Sequence, residues 1–211
     1  MQYLKIGNLV PATVIKALPE HRSYLMAIAD TELMALLPKE HAGSQLRIGN
    51  NTIVSVYSIE KSRIYLSQTS ALFYRRLTEM LISPLLIEEK VKVVRAAAIP
   101  GAGFAKVAVA GLNGCNPIAE CLPYIKTAVR QYTDTSITIV RYSSDKMEYV
   151  ANAFAPAPRK ELLEVIPFQD NSQIHVRVRP SQTGLFMGKG GANVATVSKL
   201  LGVRVYVQPA W

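Results

Sequence analysis

Between residues 184 and 202, glycines 188, 190 and 191 crowd around Lys189, and the chain on either side of them has helical spacing. A turn of that composition lets the backbone pass through positive φ and lets a ligand approach the main chain closely. The run from Ala192 to Leu201 predicts an amphipathic helix, whose unpaired first-turn N–H groups and positive dipole end look back into the turn. Strongly alternating strands are expected on both sides, over 173–179 and 203–208. Helix, glycine turn, helix and flanking strands together build a phosphate cradle.

Two familiar phosphate loops do not fit it. A nucleotide-triphosphatase loop needs G-x-x-x-x-G-K-[ST], but Gly184 to Gly188 is one residue short and Gly190 stands where the magnesium-binding hydroxyl belongs. A dinucleotide loop needs a third glycine in G-x-G-x-x-G, which is missing after Gly188 and Gly190. What matches is G-x-x-G between two short helices, Gly188-Lys189-Gly190-Gly191, the loop by which KH domains clamp a four-nucleotide backbone. Gly188, Lys189, Gly190, Gly191, Ala192 and Asn193 are therefore the first candidate RNA contacts. Lys199 and Arg204 add general electrostatics, and bases are expected in an apolar groove between the 192–201 helix and the central strand; Arg177 and Arg179, with His175, form the opposite face of their strand, where they serve an extended RNA path or solvate the sheet.

Charge supports a polyanionic partner. The 211 residues carry a formal net charge of +9, and basic residues gain free energy by displacing counterions from a nucleic acid. By segment, 1–90 holds 10 Lys+Arg against 8 Asp+Glu, 91–158 holds 7 against 4, and 159–211 holds 7 against 3, so the excess rises toward the glycine loop. Cys115 and Cys121 form no disulfide framework, and His21, His41 and His175 are too scattered for a metal site. No cofactor or metal is expected. The N-terminus lacks a basic and then apolar leader, and no uncharged run approaches the roughly 18 residues of a membrane span, so a cytoplasmic protein is expected.

Along the chain, 7–18, 24–29, 33–37, 51–59 and 63–67 read as five short strands separated by turn residues, the pattern of a small OB-type barrel. Tyr3, Tyr24, Tyr57 and Tyr65 are its candidate stacking residues. A helix is expected over 70–86, up to the interruption at Pro84. From Lys90 a ββααβ order occurs twice, with about 60 residues per copy. The expected architecture is thus multidomain: a barrel over 1–70, a helical connector over 71–90, and two α+β type II KH units over 91–157 and 158–211. In the first unit the loop position reads Pro123-Tyr124-Ile125-Lys126, without glycine and with one N–H missing at Pro123. That predicts a degenerate clamp in which Lys126 is the remaining candidate contact.

The succession of motifs resembles the core of the NusA family of bacterial transcription termination and antitermination factors. It rests on Leu36-Leu37-Pro38-Lys39-Glu40, Leu66-Ser67-Gln68-Thr69 followed by Phe73 and Leu77, Asn116-Pro117-Ile118 before Cys121, and Ile137 to Tyr142. Tyr149 to Ala157 and the loop 188–194 complete it. The resemblance implies a ribosomal-protein-S-one-type barrel and two KH domains packed rigidly together to hold single-stranded nascent RNA beside RNA polymerase. The family's long N-terminal polymerase-gripping domain and the acidic repeats of some members are not in this sequence, so action through RNA is expected, with RNA polymerase as an open second partner. Ala35-Leu36 stands where related barrels offer a Gly-Phe pair, which removes one stacking aromatic. No hydrolase motif or carboxylate cluster accompanies the loop, so the chain is not expected to be an enzyme. The competing expectation is an RNA-binding appendage or adaptor of a separate ribonuclease or translation-regulating complex.

Overall fold

The computed structural model describes residues 4–167 and 172–210. Strands β1 (Leu9–Leu18), β2 (Ser23–Ile28), β3 (Met34–Pro38), β4 (Asn51–Glu60) and β5 (Arg63–Ser67) close into a barrel of order β1-β2-β3-β5-β4. All contacts around it are antiparallel except β3 with β5, which meet in parallel at Leu36 and Tyr65. Alternation fills it: Met26, Leu37, Val54, Val56 and Leu66 are wholly buried inside.

The barrel hands over to the next unit through a dense hydrogen-bond knot. Ser67 Oγ accepts from the N–H groups of Thr69 (3.2 Å) and Ser70 (2.9 Å), and Gln68 Nε2 donates to Thr52 Oγ1 at 2.6 Å. Ser70 then caps α1 (Ala71–Leu81), its Oγ accepting from Phe73 N at 3.1 Å. The single helix expected over 70–86 is two: Ile82 leaves helical geometry at φ −100, ψ 19, and α2 (Ser83–Ile87) restarts with Pro84 in its first turn. Phe73, Leu77, Ile82 and Leu85 pack on the sheet that follows, so residues 71–90 supply part of its core.

That sheet is β6 (Val91–Ala98), β7 (Phe104–Gly111) and β8 (Ser136–Arg141), with β7 central, antiparallel to β6 and parallel to β8. Helix α3 (Pro117–Ala128) and a 3-10 turn over 129–131 cross between β7 and β8. After α4 (Lys146–Ala153), whose first N–H groups are capped by Asp145, the order repeats in β9 (Leu162–Pro167), β10 (Gln173–Val178), α5 (Thr183–Met187), α6 (Ala192–Leu201) and β11 (Arg204–Pro209). Here β10 is central, antiparallel to β9 and parallel to β11. The expected strand over 162–168 ends at Pro167, and Phe168, like Tyr3, lies outside the described residues.

The two sheets share helices. One face of the first carries α1 and α3; the other face, with Ala97, Ala108 and Val140, joins Val150, Phe154, Phe186, Val197 and Leu200 in a single core with the second sheet. Helix α6 packs directly on β6 and β7.

Candidate nucleic-acid interface

Each glycine of the 188–191 turn does a different job. Gly188 ends α5 at φ 73, ψ 168, its N–H donating to Gly184 O at 2.8 Å, and a Cβ there would lie 2.7 Å from Asn193 Cβ. Only glycine fits. Gly190 (φ 59) and Gly191 (φ 76) are left-handed too, but a Cβ on either would meet nothing within 4 Å, so their backbone borders open space. Gly191 is the N-cap of α6, and no side chain caps that helix or places a carboxylate in its first turn. The N–H of Gly191 is taken by Gly188 O at 3.0 Å and that of Ala192 by Lys189 O, so what the helix presents at the turn is its positive dipole end, with the exposed Lys189 beside it.

Asn193 is turned the other way. It is 7% exposed, and its Nδ2 donates to the carbonyl of Phe186 at 3.0 Å, tying α6 back to α5. Its side chain builds the loop and does not face a ligand, a correction to its expected role as a contact. Ala192 follows half-buried. Lys199 lies two turns along α6, about 10 Å from the loop at 1.5 Å per residue, in the last turn.

The arginines fall on another side of the molecule. Ile174, Val176 and Val178 are buried toward the helices, which turns Arg177, together with Arg204 and Tyr206 of the neighbouring strand, onto the opposite face of the sheet. Arg177 pairs with Glu164 at 3.0 Å and Arg179 with Glu161 at 3.3 Å. On the same face, the rings of His175 and Tyr206 are 5.0 Å apart. The expected groove for bases between α6 and β10 is closed by core packing, since Val176, Val197 and Leu200 are fully buried. The structure therefore gathers 188–192 into one site and separates Arg177, Arg179 and Arg204 from it.

In the first unit the expected break between two helices is absent. α3 runs unbroken through Pro123, and Lys126 sits exposed in its last turn. None of residues 123–126 takes the left-handed conformation that glycine adopts freely, so nothing turns the chain out of the helix. Asn116 Oδ1 caps this helix at Ile118 N and Glu120 occupies its first turn, closing its N-terminus to anions.

On the barrel, Tyr24 is buried, Tyr65 half-buried and Tyr57 exposed. Sequence reasoning missed that His41 stands with its ring 4.7 Å from Tyr57 and its Nδ1 3.2 Å from Ser67 Oγ. It also missed Lys106, wholly buried on β7 with its ammonium on the carbonyl of Ala155. Burial pushes that group's pKa down to about 8. The signal was a single lysine in an otherwise apolar strand. No group of metal-ligating side chains occurs among the described residues, and none of their helices is long and apolar enough to cross a membrane.

The chain is thus modular: a barrel joined to two α/β units of one topology, the second with an open glycine turn beside a basic side chain. No protein-family model matches it. Its sequence is similar to that of the transcription termination/antitermination protein NusA of several bacteria. It is 24% identical to the Halalkalibacterium halodurans protein over 90% of this chain and 50% of that one. It is 27% identical to the Thermus thermophilus protein over 82% of this chain and 44% of that one, and 27% identical to the Bacillus subtilis protein over 74% and 43%. The chain thus spans half or less of the length of these relatives. The crystal structure of APE1850 overlaps it with a TM-score of 0.47 at 23% identity, over 66% of this chain and 97% of that one.

Proposed function

We propose that the chain is a NusA-like binder of single-stranded RNA that modulates transcription elongation, termination or antitermination through the nascent transcript. In this reading residues 91–157 and 158–211 are two type II KH domains, 1–70 is an RNA-type OB barrel, and the working clamp is 188–192. One observation carries it: three left-handed glycines hold the backbone open beside Lys189 at an uncapped helix N-terminus, on a chain whose sequence is similar to NusA over most of its length. Phosphates would sit at the positive end of α6 and on Lys189, which positions the strand; bases would be read at neighbouring surfaces. Lys199 supplies general attraction from the far turn of α6.

Fluorescence anisotropy with a labelled single-stranded RNA tests the clamp. Neutralising about three phosphates on a single strand gives a salt slope near −2, so affinity falls roughly 20-fold between about 50 and 200 mM salt. Substituting Lys189→Asp with Gly190→Asp places two anions at the cradle, and aspartate tolerates the left-handed backbone of position 190. Binding should be lost with an unchanged circular dichroism spectrum and no hydrolysis of the labelled RNA. Retained affinity in the folded double variant would overturn the assignment. Effects on pausing or termination by RNA polymerase that require a transcript bound by the protein would support the regulatory half of the proposal.

A further inference from the structure

The cradle at 188–192 can hold a backbone but offers no ring to a base. Phe186, beside it in sequence, is fully buried, and the space between α6 and β10 is filled by core. Among the described residues of the second unit, the exposed Phe, Tyr or Trp is Tyr206, 41% exposed on β11. In-register pairing sets it beside His175 of β10, on the sheet face turned away from the helices, with the two rings 5.0 Å apart. Arg177, Arg204 and Gln208 are exposed on that same face. The corresponding face of the first sheet is built differently: Ala97, Ala108 and Val140 make it small and apolar, and it is buried under the second unit. An aromatic and basic face is not of the kind that receives another α/β unit in this chain.

Charge connects that face to the cradle. Ala195, Lys199 and Gly202 form the exposed stripe of α6, which runs about 15 Å from the cradle to the start of β11. β11 is an edge strand, so the stripe ends where the outer face begins. Lys199, Arg204 and the guanidinium of Arg95, which lies against Gly202, gather there, and none of the three forms an ion pair among the described residues. One cation answers the negative end of a helix; three exceed that need. We infer that the outer face of the second sheet is a base-stacking subsite for the RNA strand held at 188–192. The Tyr206 ring takes a base, His175 props that ring from the neighbouring strand, and Lys199, Arg95 and Arg204 carry the phosphates between cradle and ring. The inference rests on the RNA-binding reading above and adds a subsite to it. One stacked base is a small term beside the phosphates, so the face acts on a strand that the clamp already holds. A second copy of the chain is disfavoured as its occupant, because two such faces would set their cations against each other.

Two labelled RNAs of about 16 nucleotides and equal charge separate stacking from backbone attraction: one carries a base on every ribose, the other has bases on four consecutive nucleotides, enough for the clamp, and abasic ribose elsewhere. In fluorescence anisotropy with the full chain, Tyr206→Val, which keeps a strand-favouring side chain, should bind the fully based RNA about tenfold more weakly than the parent and the largely abasic RNA equally well. Tyr206→Trp should keep the parent's affinity for both. Arg204→Glu should weaken both several-fold, and Lys189→Asp with Gly190→Asp should abolish both. Photocrosslinking of the fully based RNA carrying 5-iodouridine should mark Tyr206 in the parent. An equal loss on both RNAs in Tyr206→Val, no loss on either, crosslinks confined to other elements, or a Tyr206-dependent dimer in sedimentation would each overturn the inference while leaving the clamp in place. Tyr206-dependent binding that survives the double variant at 189 and 190 would instead overturn the clamp and support the stacking face.

Discussion

Lys106 gives the sharpest quantitative expectation. Its side chain is buried between the first sheet and the segment after α4, with its ammonium on the Ala155 carbonyl and 5.9 Å from the centre of the Phe104 ring. Desolvation sets its folded-state pKa at about 8 against an ordinary 10.5. A depressed lysine pKa means that the folded chain holds fewer protons than the unfolded chain between those values, so this group's contribution to stability rises with pH from about 8 to 10.5. At 1.36 kcal/mol per pH unit, burying the charge costs roughly 3 kcal/mol below pH 8. The Ala155 carbonyl favours the charged form and makes that figure an upper bound. Lys106→Met removes the titration while keeping the volume. The stability difference between variant and parent should therefore move by about 2.5 kcal/mol in the parent's favour between pH 7 and pH 10, read by urea unfolding at each pH. Cys121 and Tyr149, raised to about 11 and about 12 by burial, lose stability as pH rises in both proteins and cancel in the difference. A difference that stays flat with pH would refute the reasoning.

The cradle and the joint are each open to a direct check. Gly188→Ala forces a side chain into both a positive φ and the backbone of Asn193, and should cost on the order of 2–3 kcal/mol in thermal or urea unfolding. Gly190→Ala meets open space and carries only the left-handed penalty of about 1 kcal/mol, so it should stay folded while weakening RNA binding; equal destabilisation of the two would contradict the assigned roles. Ser70→Ala removes the α1 cap and should lower stability by about 1 kcal/mol. Unchanged unfolding in that variant would show that the Phe73 N–H finds another acceptor.

Elements governed by local rules were legible in the sequence. The barrel strands are found within two residues of their expected limits, because alternation and the turn residues around Pro19, Asp30 and Gly49 act locally. The cradle was legible because glycine alone tolerates what positions 188, 190 and 191 require. Three things were not. Pro123 suggests a helix break, yet α3 continues through it, with Cys121 and Ile125 on either side of the proline both buried in the core. The role of Asn193 is hidden, because a sequence does not say whether an amide in a helix's first turn faces a ligand or the neighbouring helix. Alternation alone places Arg177 on the face opposite the core, as found, whereas charge alone associates Arg204 with the loop, although strand pairing fixes it beside Arg177 on the sheet face that the helices do not cover.

How the clamp is held follows from the sharing of α6. Its outer residues belong to the second unit's cradle, while Val197 and Leu200 pack in one core with Ala97 and Ala108 of the first sheet. Small side chains on β6 and β7 let the helix approach that sheet closely, and the guanidinium of Arg95 fills the space beside Gly202, where a Cβ would come within 2.8 Å of Nη1. The helix is thus gripped at its C-terminal end by the unit that lacks a cradle. A loop at the N-terminus of a helix packed between two sheets does not swing independently, so its glycines keep their open geometry without a ligand. The ordering cost of binding is thereby reduced before any phosphate arrives. In this arrangement the first unit, which has no glycine turn of its own, anchors the helix that carries the cradle of the second.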